Sequence, residues 1–386
     1  MTTAAVLPQL EAGEGAASYN PNTFDYQSRS DRQAAGLSAY PSSEDWLKIF
    51  HDSIESFGKT ASKDTSVKNA DKKAAAFAAM YREKLDALSS TINCLELCRL
   101  REEALIEAGF KDIYLDIKTR ENENALELLP EVLAELDQQE NLHERWELII
   151  RGVCAANIFD LGAAHTTDMY HSNGGVSFHD AREKLLPRPW IIDNMDRLVN
   201  KLSSSPAEKI KGGENGDDLK KQSSPSYKKA LLFVDNSGAD VILGMLPFAR
   251  ELVRQGTQVI IAANELPSIN DITFAELDGI LPKIASLDDV LCKAISSQNL
   301  VVLSSGNALP VIDLRQVSSE LVERAGDADF VMLEGMGRSI ETNLNARLGC
   351  DVLKIGMVKH PEVAAELGGR MLDCVVKFDM KFRKLL

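Results

Sequence analysis

The sequence predicts an α/β protein: a doubly wound, mainly parallel sheet in its C-terminal part, joined to a helical N-terminal part. Three observations predict it. Short apolar runs recur after residue 228, at Leu231–Val234, Val259–Ala262, Leu300–Leu303, Phe330–Leu333, Val352–Ile355 and Cys374–Phe378. Amphipathic stretches of helical period, such as Val241 to Val253 and Val317 to Ala325, lie between them. Strands apolar on both faces that alternate with helices belong to a parallel sheet covered on both sides. The third observation is the three- and four-residue spacing of apolar residues through most of 43–200, which marks amphipathic helices.

Taken in order, residues 1–42 are rich in Ala, Ser, Gly and Asn, and read as an irregular arm. The helical part, 43–200, begins with Asp45-Trp46-Leu47-Lys48-Ile49-Phe50 and continues through Ala74 to Ala87, Leu95 to Ala108 and Leu126 to Val153. Residues 201–227 carry Ser, Gly, Lys and Asp with few apolar groups, the composition of a disordered insertion. The α/β core then fills 228–386.

Composition narrows the function. With 44% hydrophobic and 26% charged residues the chain is an ordinary globular one. Its net charge of −15 and lack of a basic run argue against nucleic acid and anionic membrane as partners. No apolar stretch approaches the ~18 residues that a spanning helix needs. The N-terminus lacks a basic leader, and six irregularly spaced Cys make no disulfide framework, so the cytoplasm is the expected compartment.

The residues just beyond each predicted strand are more telling. Asp235-Asn236-Ser237-Gly238 lies after the first, Asn264-Glu265 and Ser268 to Asp271 after the second, and Ser304-Ser305-Gly306-Asn307 after the third. The fourth ends in Glu334-Gly335-Met336-Gly337-Arg338 and the fifth in Lys359-His360. In an open parallel sheet those ends share one edge, where ligands bind. Asp235, Asn236 and Asp271 are hard oxygen donors suited to Mg²⁺ or Mn²⁺ rather than structural zinc. Gly335 and Gly337 permit close backbone approach, Arg338 offers a planar fork to phosphate or carboxylate, and Lys359 is a second cation for an anion. Gly58-Lys59-Thr60 is no phosphate loop, since Ser53 replaces the required first Gly. Cys94 and Cys98 read as buried helix positions, and His165, Asp168 and His171 as a weaker metal candidate.

At FVDNSGAD (233–240), LPSIND (266–271), EGMGR (334–338) and KIGMVKH (354–360) the sequence resembles the metal-dependent damage-control phosphatases, in particular the subfamily marked by EGMGR. The likeness extends over about 45–380, through LCRLRE (97–102), NIFDLG (157–162) and PRPWIID (187–193). It implies a helical part on a Rossmann-like core and a divalent metal, Mn²⁺ first, with Ni²⁺, Co²⁺ or Mg²⁺ as neighbours. The family's metal ligands carry over to Asp235, Asn236 and Asp271. The implied substrates are small phosphorylated metabolites, notably 4′-phosphopantetheine and its oxidised or damaged forms. Asn157 and Asp160 are implied contacts, in a segment where Ala156 stands in place of the family's frequent Gly. On this reading Asp235, Asp271 and Arg338 carry catalysis. Asn307, Glu334, Gly335, Gly337, Arg338 and Lys359 hold the phosphate, with backbone amides near Gly306 and Gly335 assisting. Two alternatives stand beside it: an S-adenosylmethionine-dependent carboxyl methyltransferase and a non-catalytic metal-binding protein. Oligomeric state is left open.

Overall fold

A computed structural model describes residues 3–24, 27–34, 42–88, 93–158, 177–204 and 225–381. The strands are Ala4–Ala5 (β1), Ile192–Asp193 (β2), Lys229–Phe233 (β3), Gln258–Ala263 (β4) and Leu300–Ser304 (β5), then Val317–Ser318 (β6), Phe330–Glu334 (β7), Asp351–Met357 (β8) and Cys374–Asp379 (β9). Among the described residues seven of them form one sheet in the order β2-β9-β8-β7-β3-β4-β5. From β8 to β5 every neighbour is parallel. The last apolar run departs from that pattern. β9 lies antiparallel to β8, with Gly356 opposite Val375, and β2 runs parallel to β9. Periodicity marks a strand but carries no information on its direction, which the connection decides.

Alternation along each strand divides the side chains between two layers. Ala230, Leu232 and Val234 enter a core with helices Leu115–Gln138 (α6), Leu142–Ala156 (α7) and Leu246–Arg254. Leu231 and Phe233 face the other core, beside Leu7, Leu10, Leu314 and Leu321. Each fully buried Leu contributes about 2 kcal/mol of transfer free energy, so both faces are strongly specified. The N-terminal stretch is therefore more ordered than its composition suggests: Leu7 and Leu10 are buried, β1 pairs with β6, and helices Pro8–Ala12 (α1) and Arg29–Ala34 (α2) flank it.

Helices Ser43–Ser62 (α3), Ala70–Asp86 (α4) and Cys94–Glu107 (α5) form a third, aromatic-rich core with Met336, Ile340 and Val358. α3 starts at a capping box, Ser42 Oγ accepting from Asp45 N–H and the Asp45 carboxylate from Ser42 N–H. Gly58, Lys59 and Thr60 lie inside α3, which is no phosphate loop. This helical cap is seated over the carboxyl ends of the strands. Most of the expected insertion, 205–224, lies outside the described residues, as do Asp160, His165, Asp168 and His171. No described helix is long and apolar enough to cross a membrane.

Candidate active site at the strand ends

The chain passes from β3 to β4 in one direction along the sheet and from β7 to β8 in the other, so a crevice opens beyond β3 and β7. Asp235 and Asn236 follow β3, while Glu334 ends β7 and Gly335 to Arg338 continue it. Both strands give way to wide helical turns of the i+5 kind, at Asp240–Met245 and Met336–Glu341. Such turns recur at functional sites. The first of them brings Asp240 back beneath Asp235.

Four carboxylates gather here with almost no exposure: Asp235 5%, Asp240 0%, Asp271 1% and Glu334 0%. Oxygens of Asp235, Asp240 and Glu334 all lie within 4.8 Å of one another, a geometry able to hold a metal ion. The Asn157 amide, at the C-terminal end of α7, donates to Asp240 Oδ2 (2.9 Å), Glu334 Oε1 (2.8 Å) and Asp235 Oδ2 (3.4 Å). Asn236 Nδ2 donates to Asp235 Oδ2 at 3.0 Å and Asp240 Oδ2 at 2.7 Å. Glu334 Oε2 accepts the Asp235 N–H at 2.9 Å. Within this group of acids, Asp240 Oδ1 is left buried without a hydrogen-bond partner.

Arg338 is the principal counter-charge. Its guanidinium grips Asp235 Oδ1, Asp271 Oδ2 (2.7 Å) and Asn264 Oδ1 (3.0 Å). The fork expected to meet a phosphate is thus turned onto the acids. Burial works against its charge, but Asp271 and Asp235 outweigh that and hold it above the ordinary arginine value. Burial pushes Asp235 well above the carboxylate range; Arg338 pulls it down, and Asp271 and Asp240 push it further up. Glu334 rises for the same reason, first from burial and then from Asp240 and Asp235. Burial and mutual repulsion both raise these acids, and a divalent ion could be held among them.

Gly335 is dictated by Asp235. Its φ is +95°, and a Cβ there would stand 2.2 Å from Asp235 Oδ2. At Gly337 a Cβ would lie 2.3 Å from Pro310 O. The amides expected to hold phosphate oxygens are engaged internally, Gly335 N–H with Ile355 O at 3.0 Å and Gly306 N–H with Ser304 Oγ at 3.1 Å. Asn307 stands at one remove: its amide donates to Asn264 Oδ1 (3.1 Å) and to the carbonyls of Leu309 and Val311, fixing Asn264 rather than facing the crevice.

Above the acids a cavity of about 540 Å³ separates the cap from the sheet edge. Its floor includes Asp235, Asn236, Asp271 and the buried Lys359; Trp46, Phe50 and Phe57 of α3, Cys94 and Cys98 of α5, and Met336 line its upper walls. Asp240 and Glu334 are absent from the lining and sit deeper. Two members of the site, both within segments noted in the sequence, are given no role by sequence reasoning. Asp240 closes the FVDNSGAD string, and Asn264 directly follows β4; a buried-helix position occupied by Asp is the available signal for the first.

With that geometry in hand, comparison with known proteins is decisive. Residues 42–375 match the model of the damage-control phosphatase ARMT1-like domain. A damage-control phosphatase of Arabidopsis thaliana is 44% identical over 368 residues, spanning 94% of both chains. The chain belongs to this family. Among further relatives of this family member, pantothenate kinase 2 of Oryza sativa is 38% identical, and the match covers 98% of this chain but 41% of the rice protein. The 4′-phosphopantetheine phosphatase of Mus musculus is 30% identical, the match covering 87% of this chain and 45% of the mouse protein. In fold, the chain is similar to the crystal structure of a DUF89 family protein from Pyrococcus horikoshii, with a TM-score of 0.59 at 18% identity over 87% of this chain and 97% of the other.

Proposed function

We propose that this damage-control phosphatase is metal-dependent and hydrolyses phosphate monoesters of metabolites, 4′-phosphopantetheine and its oxidised or damaged forms first among them. The observation that carries the reading is the buried acidic cluster under the cavity, with an orphaned oxygen on Asp240. Asp235, Asn236 and Asp271 face the cavity and would hold the ion, while Asp240 and Glu334 support them from behind. The all-oxygen set favours Mn²⁺, with Mg²⁺, Co²⁺ or Ni²⁺ as alternatives. When bound, the ion supplies charge neutralisation at the phosphate and orientation of the attacking water.

The chain's own groups do the rest. Arg338 holds Asp235 and Asp271 in place as one unit, and Asn157 fixes the deeper carboxylates. Lys359, at the cavity floor, would meet a phosphate oxygen. The aromatic and sulfur-bearing walls suit a leaving group with an extended, partly apolar chain, such as a pantetheine arm, better than a polyol. All six cysteines are free thiols, in keeping with a reducing compartment and a cytoplasmic location.

The test strips the protein of metal and follows phosphate release from p-nitrophenyl phosphate and 4′-phosphopantetheine as Mn²⁺, Co²⁺, Ni²⁺ or Mg²⁺ is restored. Release is expected to depend on metal and to fall at least about a hundredfold in Asp235→Asn. Equal release from the variant, or none with any metal, would overturn the reading.

A further inference from the structure

Helix α6 touches both halves of the site at positions one turn apart. Lys118 and Asn122, at i and i+4, share a face of that helix and are 1% and 6% exposed. Lys118 Nζ reaches the backbone carbonyl of Asp271 at 3.4 Å while paired with Asp112 (2.8 Å) and Glu276 (2.7 Å). Asn122 Oδ1 accepts the N–H of Gly238 at 2.7 Å, two residues beyond Asn236. The two loops are themselves laced together, Ser237 N–H to Asn270 O at 2.9 Å and Ile272 N–H to Asp235 O at 3.0 Å.

We infer that Lys118 and Asn122 are positioning residues that set the separation between Asp271 and the Asp235–Asn236 pair, and so the affinity of the site for a divalent ion. A metal site needs its ligand atoms fixed to a few tenths of an ångström, yet both ligand-bearing loops lie beyond the last hydrogen bonds of their strands. Lacing one loop to the other fixes their register but leaves them to shift together over the helix. Anchors from a single rigid helix face remove that freedom. Glu276 strengthens the arrangement, since it also closes the capping box at Thr273, two residues past Asp271. Lys118 therefore joins the loop's two ends, at the Asp271 carbonyl and at Glu276. Neither residue touches the cavity, so each acts through the loops rather than on substrate.

This inference rests on the proposed metal dependence and is tested with Mn²⁺ alone. Uptake by metal-stripped protein is titrated by the electron paramagnetic resonance of free Mn²⁺, alongside kcat and KM for p-nitrophenyl phosphate at rising Mn²⁺. Asn122→Ala and Lys118→Met are expected to weaken Mn²⁺ binding about 10- to 100-fold, with most of kcat regained at saturating Mn²⁺. Asn122→Asp keeps the acceptor oxygen and restores most of the affinity. Should Lys118→Met fail to fold, because it strands Asp112 and Glu276, the Asn122 pair of variants decides the matter. Folded Asn122→Ala with wild-type affinity would overturn the inference alone. Wild-type protein that takes up no Mn²⁺ would overturn this inference, and if calorimetry also finds no uptake of Co²⁺, Ni²⁺ or Mg²⁺, the metal dependence with it.

Discussion

Two layers of acid lie at the strand ends, and they are held in different ways. The cavity-facing layer, Asp235 and Asp271, is clamped by an arginine. The deeper layer, Asp240 and Glu334, meets no arginine among the described residues and is held by neutral amides from Asn157 and Asn236, which also reach back to Asp235. Arg338 pulls Asp235 toward its charged form against the larger push of burial. Amides orient a carboxylate without supplying a counter-charge, so burial holds Asp240 and Glu334 above their ordinary range.

The largest expected effect tests the first layer. Gly335→Ala forces a methyl into the Asp235 carboxylate without altering any charge, and should lower kcat/KM about a hundredfold or more by displacing it. Near-normal turnover would mean that the placement of Asp235 is not critical. A middle-sized effect separates the layers. In Asp240→Asn the new amide nitrogen can occupy the place of the unpartnered Oδ1 while the retained oxygen keeps the bonds from Asn157 and Asn236. Metal affinity should fall about tenfold. The metal-free protein should melt roughly 2 °C higher, because one buried charge is gone. Lower stability would show that the deeper acids are compensated from within.

The smallest effect concerns Glu121, beside Asn122 on α6, whose carboxyl burial pushes up to about 7. Its folded-state value lies above the ordinary 4.5, so the native state binds the extra proton. That contribution to stability is complete below pH 4.5 and is lost as pH rises through about 7. Glu121→Gln should flatten this part of the stability–pH curve in urea titrations. An unchanged slope would assign the pH dependence to the acidic layers instead.

Much of this is legible in the sequence, for identifiable reasons. Short apolar runs locate six strands because burial on both faces leaves few polar positions, Lys354 in β8 and Lys377 in β9 being exceptions. β1, β2 and β6, two residues each, carry no periodicity to read. Asp235, Asn236 and Asp271 stand out as oxygen donors beyond strand ends. Asp240 does not, since an acid near the start of a helix has an ordinary explanation as a favourable charge on the helix dipole. Arg338 is recognisable as an anion-binding group, but a sequence does not say which anion. The guanidinium meets two carboxylates of its own chain.

The two walls of the cavity also have separate origins along the chain. Trp46, Phe50, Cys94 and Cys98 come from the helical first third, whereas the acids and Lys359 come from sheet-edge loops far downstream. On the proposed reading, changes in the cap retune which leaving group is accepted while the acidic floor stays intact. A lineage can drift from one phosphorylated compound to another by altering a few aromatic positions, keeping a single inherited chemistry beneath an exchangeable lid of specificity.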